Sequence, residues 1–324
     1  MPLFQSIKLF LSILPKLKDW IISNLFVKLG VTGGAGFIGS NIVKLLVKQN
    51  HDVTVIDNLY RGKLENLKEV EEKITFSKTD ILEYDKLKNE MKNLDGVFHE
   101  AALTSVPESF TKTDEYNRVN IVGTENVFKI ANELNFKVIY ASSSSIYGNP
   151  KGIPINETFE RKPINPYGVT KLEDELLAEK YHNLGSKIIG LRYFNVYGKC
   201  QNLDYAGVIT KFLDRLKLNQ SPIIFGDGKQ VRDFIFVGDV AQANLKAFES
   251  KTDFGFFNVG TGIGTTINQL VKLMIKMYGS NREPIYESLP DGDVEESQSD
   301  LSLIKNKISW SPETNLENGL KTIF

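Results

Sequence analysis

The sequence predicts an α/β protein in which a doubly wound parallel sheet is joined to a smaller, irregular C-terminal lobe. Three observations support this prediction. Short apolar segments alternate with helical periodicity from Phe26 to Asn195, a glycine-rich turn follows the first of them, and loops interrupt the alternation after Asn195. Strands that alternate with helices form βαβ units, so the strands are parallel and helices cover both faces of the sheet.

The individual elements follow from the periodicity of the apolar residues. The first strand ends at Thr32, and a helical pattern runs from Phe37 to Gln49. Further candidate strands are Val53–Asp57, Ile74–Ser77, Gly96–His99, Lys137–Ser142 and Lys187–Tyr193. Helical stretches separate them near residues 63–72, 83–93, 114–135 and 166–184.

The chain divides into three predicted parts. Residues 27–194 form the sheet domain, to which residues 231–260 are expected to return, and residues 195–230 and 261–324 form the smaller lobe. Residues 1–26 are an amphipathic extension, whose helical pattern Pro15 interrupts. It is a membrane-surface or partner-binding helix, a helix packed on its own domain, or an upstream stretch included by a misplaced start. We expect no secretory signal and no integral membrane span, which needs about 20 apolar residues.

The composition favours a cytoplasmic enzyme. Of the 324 residues 41% are apolar, and 39 Lys and Arg stand against 40 Asp and Glu, so the formal net charge is −1. This balance argues against a disordered chain and against a protein that finds nucleic acid by electrostatics alone. Cys200 is the only cysteine, and the three histidines lie far apart, so we expect no disulfide and no metal site.

The glycine-rich segment Thr32–Gly39, which reads TGGAGFIG, predicts a dinucleotide site of the Rossmann type. Glycine allows the tight turn and the close approach to a pyrophosphate, which the N-terminus of the following helix attracts. Asp57 ends the next strand, 18 residues after Gly39, where its carboxylate can accept hydrogen bonds from an adenosine ribose. NAD is therefore favoured over NADP, although the nearby Arg61 leaves NADP open.

Two further motifs predict a catalytic site at the carboxyl edge of the sheet. Tyr167 and Lys171 lie four residues apart at the start of a predicted helix, so both face the same way and the ammonium group can stabilise a phenolate. The serine run 142–145 follows a predicted strand and can place a hydroxyl over the same edge. Taken alone, either motif is also compatible with an ordinary surface pair or a polar turn.

Together these motifs resemble the extended short-chain dehydrogenase/reductase family, in particular its NAD-dependent sugar-nucleotide epimerases. The resemblance runs from about Val27 to the C-terminus. Besides the motifs above, it includes DNL at 57–59, HEAA at 99–102, NIVGT at 120–124, LRYFNVYG at 191–198, VRDF at 231–234 and GD at 292–293.

The resemblance implies roles for individual positions. The catalytic residues would be Ser143, Tyr167 and Lys171. The NAD contacts would be Gly33, Gly36, Phe37, Ile38, Gly39, Asp57, Asn58, Asp80, Ile81, Ala101, Ala102, Thr104, Tyr167, Lys171 and Phe194. The contacts with a UDP-sugar substrate would be Ser143, Tyr167, Asn195, Val208, Phe225, Arg232, Asp293 and Ser297. Pro290 stands where the family has a diphosphate-binding arginine, for which Lys211 or Arg282 could substitute.

The implied reaction is 4-epimerisation of a UDP-hexose, in which the sugar is oxidised at C4′ and then reduced on its other face. Dehydratases and decarboxylases of the family carry acidic residues where this chain has Ser144 and Ser145. The small Ser297 would admit UDP-GlcNAc and UDP-GalNAc besides UDP-glucose and UDP-galactose. A UDP-glucuronate 4-epimerase, a dehydratase, a reductase and a non-catalytic NAD-binding regulator stay open as alternatives. The family also implies a homodimer through helices near 114–135 and 166–184.

Overall fold

The computed structural model describes residues 27–201, 207–288 and 294–324. The predicted extension at 1–26, together with Pro290 and Asp293, lies outside the described residues. Within the described part, seven parallel strands form one sheet in the order β3-β2-β1-β4-β5-β6-β10. They are β1 (Lys28–Thr32), β2 (Asp52–Ile56), β3 (Ile74–Ser77), β4 (Gly96–His99), β5 (Lys137–Ser143), β6 (Ile188–Tyr193) and β10 (Phe254–Val259).

Helices cover both faces of this sheet. They are α1 (Phe37–Lys48), α2 (Tyr84–Met91), α3 (Val106–Thr111), α4 (Thr113–Tyr116), α5 (Gly123–Leu134), α6 (Pro166–Asn183) and α8 (Val237–Glu249). A π-helical segment, Asn117–Val122, joins α4 to α5, so the helix expected near 114–135 is nearly continuous.

The prediction of a helix near residues 63–72 is wrong. The structure has two short 3₁₀ turns there, Leu64–Leu67 and Glu71–Lys73. Only Leu67 is buried in the two turns, so the segment has no apolar stripe for an α-helix to pack on the sheet. Its side chains instead support the glycine-rich turn, as described below.

The core consists of two apolar layers, one on each face of the sheet. One layer contains Ile42 and Leu46 of α1 with Val240 of α8, and the other contains Leu87 of α2 with Val127 of α5. Every residue of β4 and β6 is buried, as expected for parallel strands covered on both faces.

Gly30 is accounted for by this packing. A Cβ atom at position 30 would lie 2.5 Å from Cδ1 of Leu94 and 3.3 Å from Cγ2 of Val97. The strand β1 therefore needs a residue without a side chain at this position, because Leu94 fills the space beside it.

The smaller lobe lies beyond β6. It contains a sheet of β7 (Asn195–Tyr197), β9 (Val231–Phe236), β11 (Gly264–Thr266) and β13 (Glu296–Ser297) and a pair of β8 (Ile223–Phe225) with β12 (Ile285–Glu287). Its helices are α7 (Val208–Lys217), α9 (Ile267–Tyr278), α10 (Ser302–Ile308) and α11 (Leu316–Lys321). The chain returns to the main sheet through β10, whereas β9 belongs to the second sheet. The proposed domain boundaries stay a prediction.

Candidate active site

Two adjoining cavities lie at the carboxyl edge of the main sheet, where β1 and β4 are neighbours and the strand order changes direction. Such a position is where open α/β sheets bind their ligands. The cavities measure about 490 Å³ and 220 Å³. Both are lined by Gly33, Gly36, Arg61, Glu100 and Ala102, so they form one continuous groove.

The glycine-rich turn forms the floor of this groove. Gly33 has φ +67°, and a Cβ atom there would lie 2.6 Å from the backbone nitrogen of Ala101. A Cβ atom on Gly39 would collide with the carbonyl oxygen of Gly33. No side chain caps the N-terminus of α1, so its first backbone N–H groups are left to bind an anion.

The loop after β2 holds the turn in place through Ala35. The carboxylate of Asp57 accepts hydrogen bonds from the backbone nitrogens of Ala35, at 3.0 Å, and Leu59, at 2.8 Å. The side-chain nitrogen of Asn66 and the backbone nitrogen of Lys63 donate to the carbonyl of Ala35 at 2.9 and 3.0 Å. Burial raises the pKa of Asp57, and the two backbone donors oppose this shift.

The groove fits a dinucleotide. Asp57, Asn58, Asp80, Ile81 and Ala101 line the smaller cavity, and the larger one is lined by Gly33, Gly36, Phe37, Ile38, Gly39, Ala102, Thr104 and Phe194. Asn58 donates a hydrogen bond to Asp80 at 2.8 Å, which fixes two polar side chains at the adenosine end expected for NAD. The glycines allow the tight turn that places Gly33, Gly36 and Gly39 in the lining of this groove.

Tyr167, Lys171 and Ser143 line the larger cavity together. Helix α6 begins at Pro166, and its N-cap Asn165 accepts a hydrogen bond from the backbone nitrogen of Gly168 at 2.8 Å. This start places Tyr167 and Lys171 on one face, one turn apart. Ser143 is the last residue of β5, and its hydroxyl accepts a hydrogen bond from the backbone nitrogen of Ser145 at 3.1 Å.

Lys171 carries its positive charge in a buried setting. Its Nζ donates a hydrogen bond to Oδ2 of Asp174 at 3.0 Å, and both side chains are buried. Burial lowers the pKa of Lys171, but neighbouring groups, with Asp174 the largest contributor, outweigh this effect and raise it overall. The ammonium form therefore persists at neutral pH beside Tyr167.

A buried ion pair fixes the strand end that carries Ser143. Arg192 of β6 binds Glu175 of α6 through two hydrogen bonds of 2.8 Å. Glu175 also accepts a hydrogen bond from Ser142 at 2.7 Å, and Arg192 donates to the hydroxyl of Tyr147 at 2.7 Å. These contacts join β5, β6 and α6, so they set the distance between Ser143 and the Tyr167–Lys171 pair.

Glu100, for which the sequence predicted no role, lines both cavities. Burial raises the pKa of Glu100 to about 8, although the Tyr193 hydroxyl donates to its Oε1 at 2.9 Å. Its other oxygen, Oε2, is buried without a hydrogen-bond partner among the described residues. The HEAA motif marks the position, but only the burial distinguishes this carboxyl from a surface one. Lys63 and Asn66 also line the groove and carried no sequence signal.

The predicted substrate contacts divide into two groups. Asn195 and Val208 line the larger cavity, whereas Phe225, Arg232 and Ser297 line neither cavity in the described structure. The candidate substitutes for the missing arginine, Lys211 and Arg282, do not line the described cavities either. Asp293 lies outside the described residues, as noted above.

Residues 27–201, 207–288 and 294–324 contain no cluster of three His, Cys, Asp or Glu side chains that could hold a metal ion. In the same part of the chain, no helix is both long enough and apolar enough to cross a membrane.

A doubly wound parallel sheet with a dinucleotide groove and a Tyr–Lys pair beside it defines a nicotinamide-dependent enzyme of the short-chain dehydrogenase/reductase type. The family model of the NAD dependent epimerase/dehydratase family matches residues 29–260. The chain belongs to this family.

Similar proteins include a putative UDP-glucose 4-epimerase of Methanocaldococcus jannaschii, 38% identical over 298 residues that cover 90% of this chain and 96% of that protein. The structure of a UDP-N-acetylglucosamine 4-epimerase from Methanobrevibacter ruminantium, in complex with UDP-N-acetylmuramic acid, matches with a TM-score of 0.87 at 38% identity, covering 92% of this chain and 98% of that one. A Bacillus cereus UDP-glucuronic acid 4-epimerase, in complex with UDP-glucuronic acid and NAD, gives 0.85 at 30% identity, with coverage of 91% and 97%.

The predictions of a doubly wound sheet, of this family and of an NAD-dependent enzyme are thereby confirmed. The names of the relatives differ in the sugar, so they support a nucleotide-sugar epimerase/dehydratase without fixing the substrate.

Proposed function

We propose that this enzyme catalyses the NAD-dependent 4-epimerisation of a UDP-hexose, interconverting UDP-glucose and UDP-galactose. The observation that carries the proposal is that Ser143, Tyr167 and Lys171 line the same cavity as the glycine-rich turn. A sugar hydroxyl held beside Tyr167 would then lie next to the nicotinamide end of the groove. We propose the groove-lining positions named above as the NAD contacts.

Each residue of the trio has a distinct role in the proposed reaction. NAD, when bound, supplies the hydride acceptor for the oxidation at C4′ and the hydride donor for the following reduction. Tyr167 takes the proton of the 4′-hydroxyl and later returns it. Lys171 stabilises the phenolate through its buried positive charge, and Ser143 hydrogen-bonds the 4′-oxygen as its charge changes.

The serine segment that follows Ser143 supports epimerisation over elimination. Ser144 and Ser145 follow Ser143 in a 3₁₀ turn and offer hydroxyls, which cannot act as carboxyl acids or bases. Glu175 is held by Arg192 and Ser142, so it is not oriented towards a substrate. Dehydration or decarboxylation would need an acidic group that this segment lacks.

The cavity lining supports a neutral hexose over a uronic acid. From residue 195 onward, the described part of the larger cavity is lined by side chains such as Asn195, Gln201 and Val208 and by no Lys or Arg. The other cations of the described lining, Arg61 and Lys63, belong to the loop after β2, next to the glycine-rich turn. A cation is the strongest partner for the carboxylate of a uronate. We extend the proposal to UDP-GlcNAc and UDP-GalNAc, because a UDP-N-acetylglucosamine 4-epimerase is among the similar structures, at 38% identity.

The test is product analysis after separate incubation with UDP-glucose, UDP-GlcNAc and UDP-glucuronate, with NAD supplied. We expect the 4-epimer of UDP-glucose, and none with Tyr167→Phe, which keeps the ring and removes the acid–base group. Exclusive conversion of UDP-glucuronate would replace the hexose proposal with the uronate one. Accumulation of free NADH would point to a reductase or dehydrogenase.

We also propose that the protein forms a homodimer through α3, the π-helical segment and α6. Four apolar side chains are exposed along these elements, namely Phe110, Val122, Val169 and Leu176, each with 42–54% of its surface accessible. Val169 and Leu176 lie seven residues apart and so share one face of α6. A second copy of the same surface could cover these side chains by two-fold symmetry.

A further inference from the structure

Asp174 is a buried carboxyl that the proposed mechanism does not use. It lies one turn beyond Lys171 on α6 and is fully inaccessible to solvent. One carboxylate oxygen, Oδ2, accepts the hydrogen bond from Lys171 Nζ at 3.0 Å. The other, Oδ1, is also buried. Burial raises the pKa of Asp174 to about 6, an effect that Lys171 and a side-chain hydrogen bond with Thr124 only partly offset. A buried ion pair gains little stability, because desolvation offsets the attraction between the two charges.

The groups that surround the pair are mostly neutral near pH 7. Burial lowers the pKa of His99 to about 3, and its ring nitrogens lie 2.6 and 2.9 Å from the hydroxyls of Thr32 and Thr124. Tyr140 of β5 also faces Asp174, and burial raises its pKa well above its ordinary value. Neither residue therefore carries a charge that could compensate Lys171.

Two other acidic groups face the pair. Glu175, the next residue of α6, is already bound by Arg192 in two hydrogen bonds. Glu100 approaches Lys171 from the end of β4, but burial keeps its pKa near 8, so it is largely protonated at neutral pH. Asp174 is thus the group in direct contact with Lys171 that can cancel its charge.

We propose that Asp174 is a positioning residue that holds Lys171 in place and partly cancels its charge, thereby setting the pH at which Tyr167 becomes a base. The proposal rests on the proposed roles of Tyr167 and Lys171. A negative charge behind the ammonium group weakens the stabilisation of the Tyr167 phenolate. Removing that charge while the ammonium group stays should favour the phenolate at lower pH.

Asp174→Asn tests this directly, because asparagine keeps a hydrogen-bond acceptor for Lys171 and removes only the charge. The readout is the ultraviolet absorbance of tyrosinate as a function of pH, with NAD at saturation. The absorbance of wild type minus that of Tyr167→Phe isolates the titration step of Tyr167. The absorbance of Asp174→Asn minus that of the double variant Asp174→Asn/Tyr167→Phe isolates the same step without the Asp174 charge. Glu100 is present in all four proteins, so its own titration cancels.

We expect the Tyr167 step to move to lower pH by about one pH unit in the Asp174→Asn background. Asp174→Glu, which keeps the charge, is expected to leave the midpoint in place. If Asp174→Asn does not fold, as judged by thermal unfolding, Asp174→Ser carries the same expectation. An unchanged midpoint, a shift to higher pH, or no step attributable to Tyr167 would overturn the proposal.

This titration needs no turnover, so it separates the inference from the proposed function. A shifted Tyr167 step in a protein that epimerises no UDP-hexose would support the role of Asp174 and refute the epimerase proposal. Where turnover is measurable, the acid limb of its pH profile should shift in the same direction. A loss of stability alone, without the shift, would mark Asp174 as a purely structural partner.

Discussion

At the scale of single residues, the groove depends on positions where no side chain fits. Gly33→Ala adds a Cβ atom to a left-handed backbone and places it 2.6 Å from the backbone of Ala101. Gly152 is the matched control, because it also has a positive φ, +99°, but a Cβ atom there meets nothing within 4 Å. Alanine at either position therefore strains the backbone, but only alanine at position 33 also collides with a neighbouring residue.

We expect Gly152→Ala to cost about 1–3 kcal/mol of unfolding free energy and to leave NAD affinity unchanged. Gly33→Ala should cost more and weaken NAD binding at least about tenfold, which corresponds to about 1.4 kcal/mol. Urea unfolding and NAD titration measure the two quantities. Equal effects of both substitutions would show that Gly33 serves only the turn conformation.

Glu100 predicts a specific pH dependence of stability. Burial raises its pKa from 4.5 to about 8, so between these values the folded protein keeps a proton that the unfolded chain has lost. The free energy of unfolding contributed by this group therefore falls as the pH rises through this window.

In Glu100→Gln this decline should be smaller than in wild type, by about 1 kcal/mol or more. Urea unfolding without cofactor, at a pH below and a pH above this range, measures the decline in the free energy of unfolding. Glu71→Gln is the control, because Glu71 is exposed and its substitution changes the net charge equally. The same decline in wild type and Glu100→Gln would assign the pH dependence to other groups.

Residue roles were predictable where they follow from local spacing. The glycines of the turn and the Tyr167–Lys171 pair fall into this class, because both lie within single motifs. The roles of Glu100 and Asp174 depend on burial by distant elements, which the sequence does not express. The same holds for Gly30, which must lack a side chain because Leu94 fills the space beside it.

At the scale of elements, a lysine from the sheet caps a helix. Lys137, the first residue of β5, donates hydrogen bonds from Nζ to the carbonyls of Ala247, Phe248 and Ser250 at 2.9, 3.0 and 2.9 Å. These carbonyls end α8, where helices leave such groups without partners. The contact therefore ties α8 to the main sheet.

Lys137→Met keeps the aliphatic stem and removes the three hydrogen bonds. We expect a loss of about 2–3 kcal/mol of unfolding free energy, because charge-assisted bonds to buried carbonyls disappear. Lys246→Met, in the last turn of the same helix, breaks only an exposed pair with Glu249 and should cost less than about 1 kcal/mol. Comparable losses in the two variants would contradict the capping role.

Most elements of the main sheet were predictable, because buried strands and amphipathic helices leave strong periodic patterns. The segment 63–72 was not, because its Leu64, Leu67 and Val70 have helical spacing although only Leu67 is buried. The Lys137 cap spans 110 residues or more along the chain, so no local pattern could indicate it.

At the scale of the whole molecule, the exposed apolar side chains on α3, the π-helical segment and α6 predict the homodimer. Replacing Val169 and Leu176 together by Glu should give a monomer, because two charges would be buried in each half of a symmetric interface. Leu218→Glu is the control, since Leu218 is 61% exposed at the end of α7. Sedimentation equilibrium measures the mass. A wild-type monomer, or a variant that still dimerises, would refute this surface.

The two halves of the groove differ in how far the sequence predicts them. The doubly wound sheet and its ligand edge follow from alternating elements, so the cofactor half of the groove was largely predictable. The substrate half is built from short strands and loops, and Phe225, Arg232 and Ser297, expected there, line neither described cavity. Their proposed roles came from motif matching across loops, which carries no information on where a side chain lies.

The proposal that Tyr167 and NAD act on C4′ of a UDP-hexose is tested most directly with UDP-glucose that carries deuterium at C4′. Transient oxidation at C4′ predicts UDP-galactose that retains the deuterium, with no net NADH and no product from Tyr167→Phe. Loss of the label to solvent, or equal conversion by the variant, would contradict it.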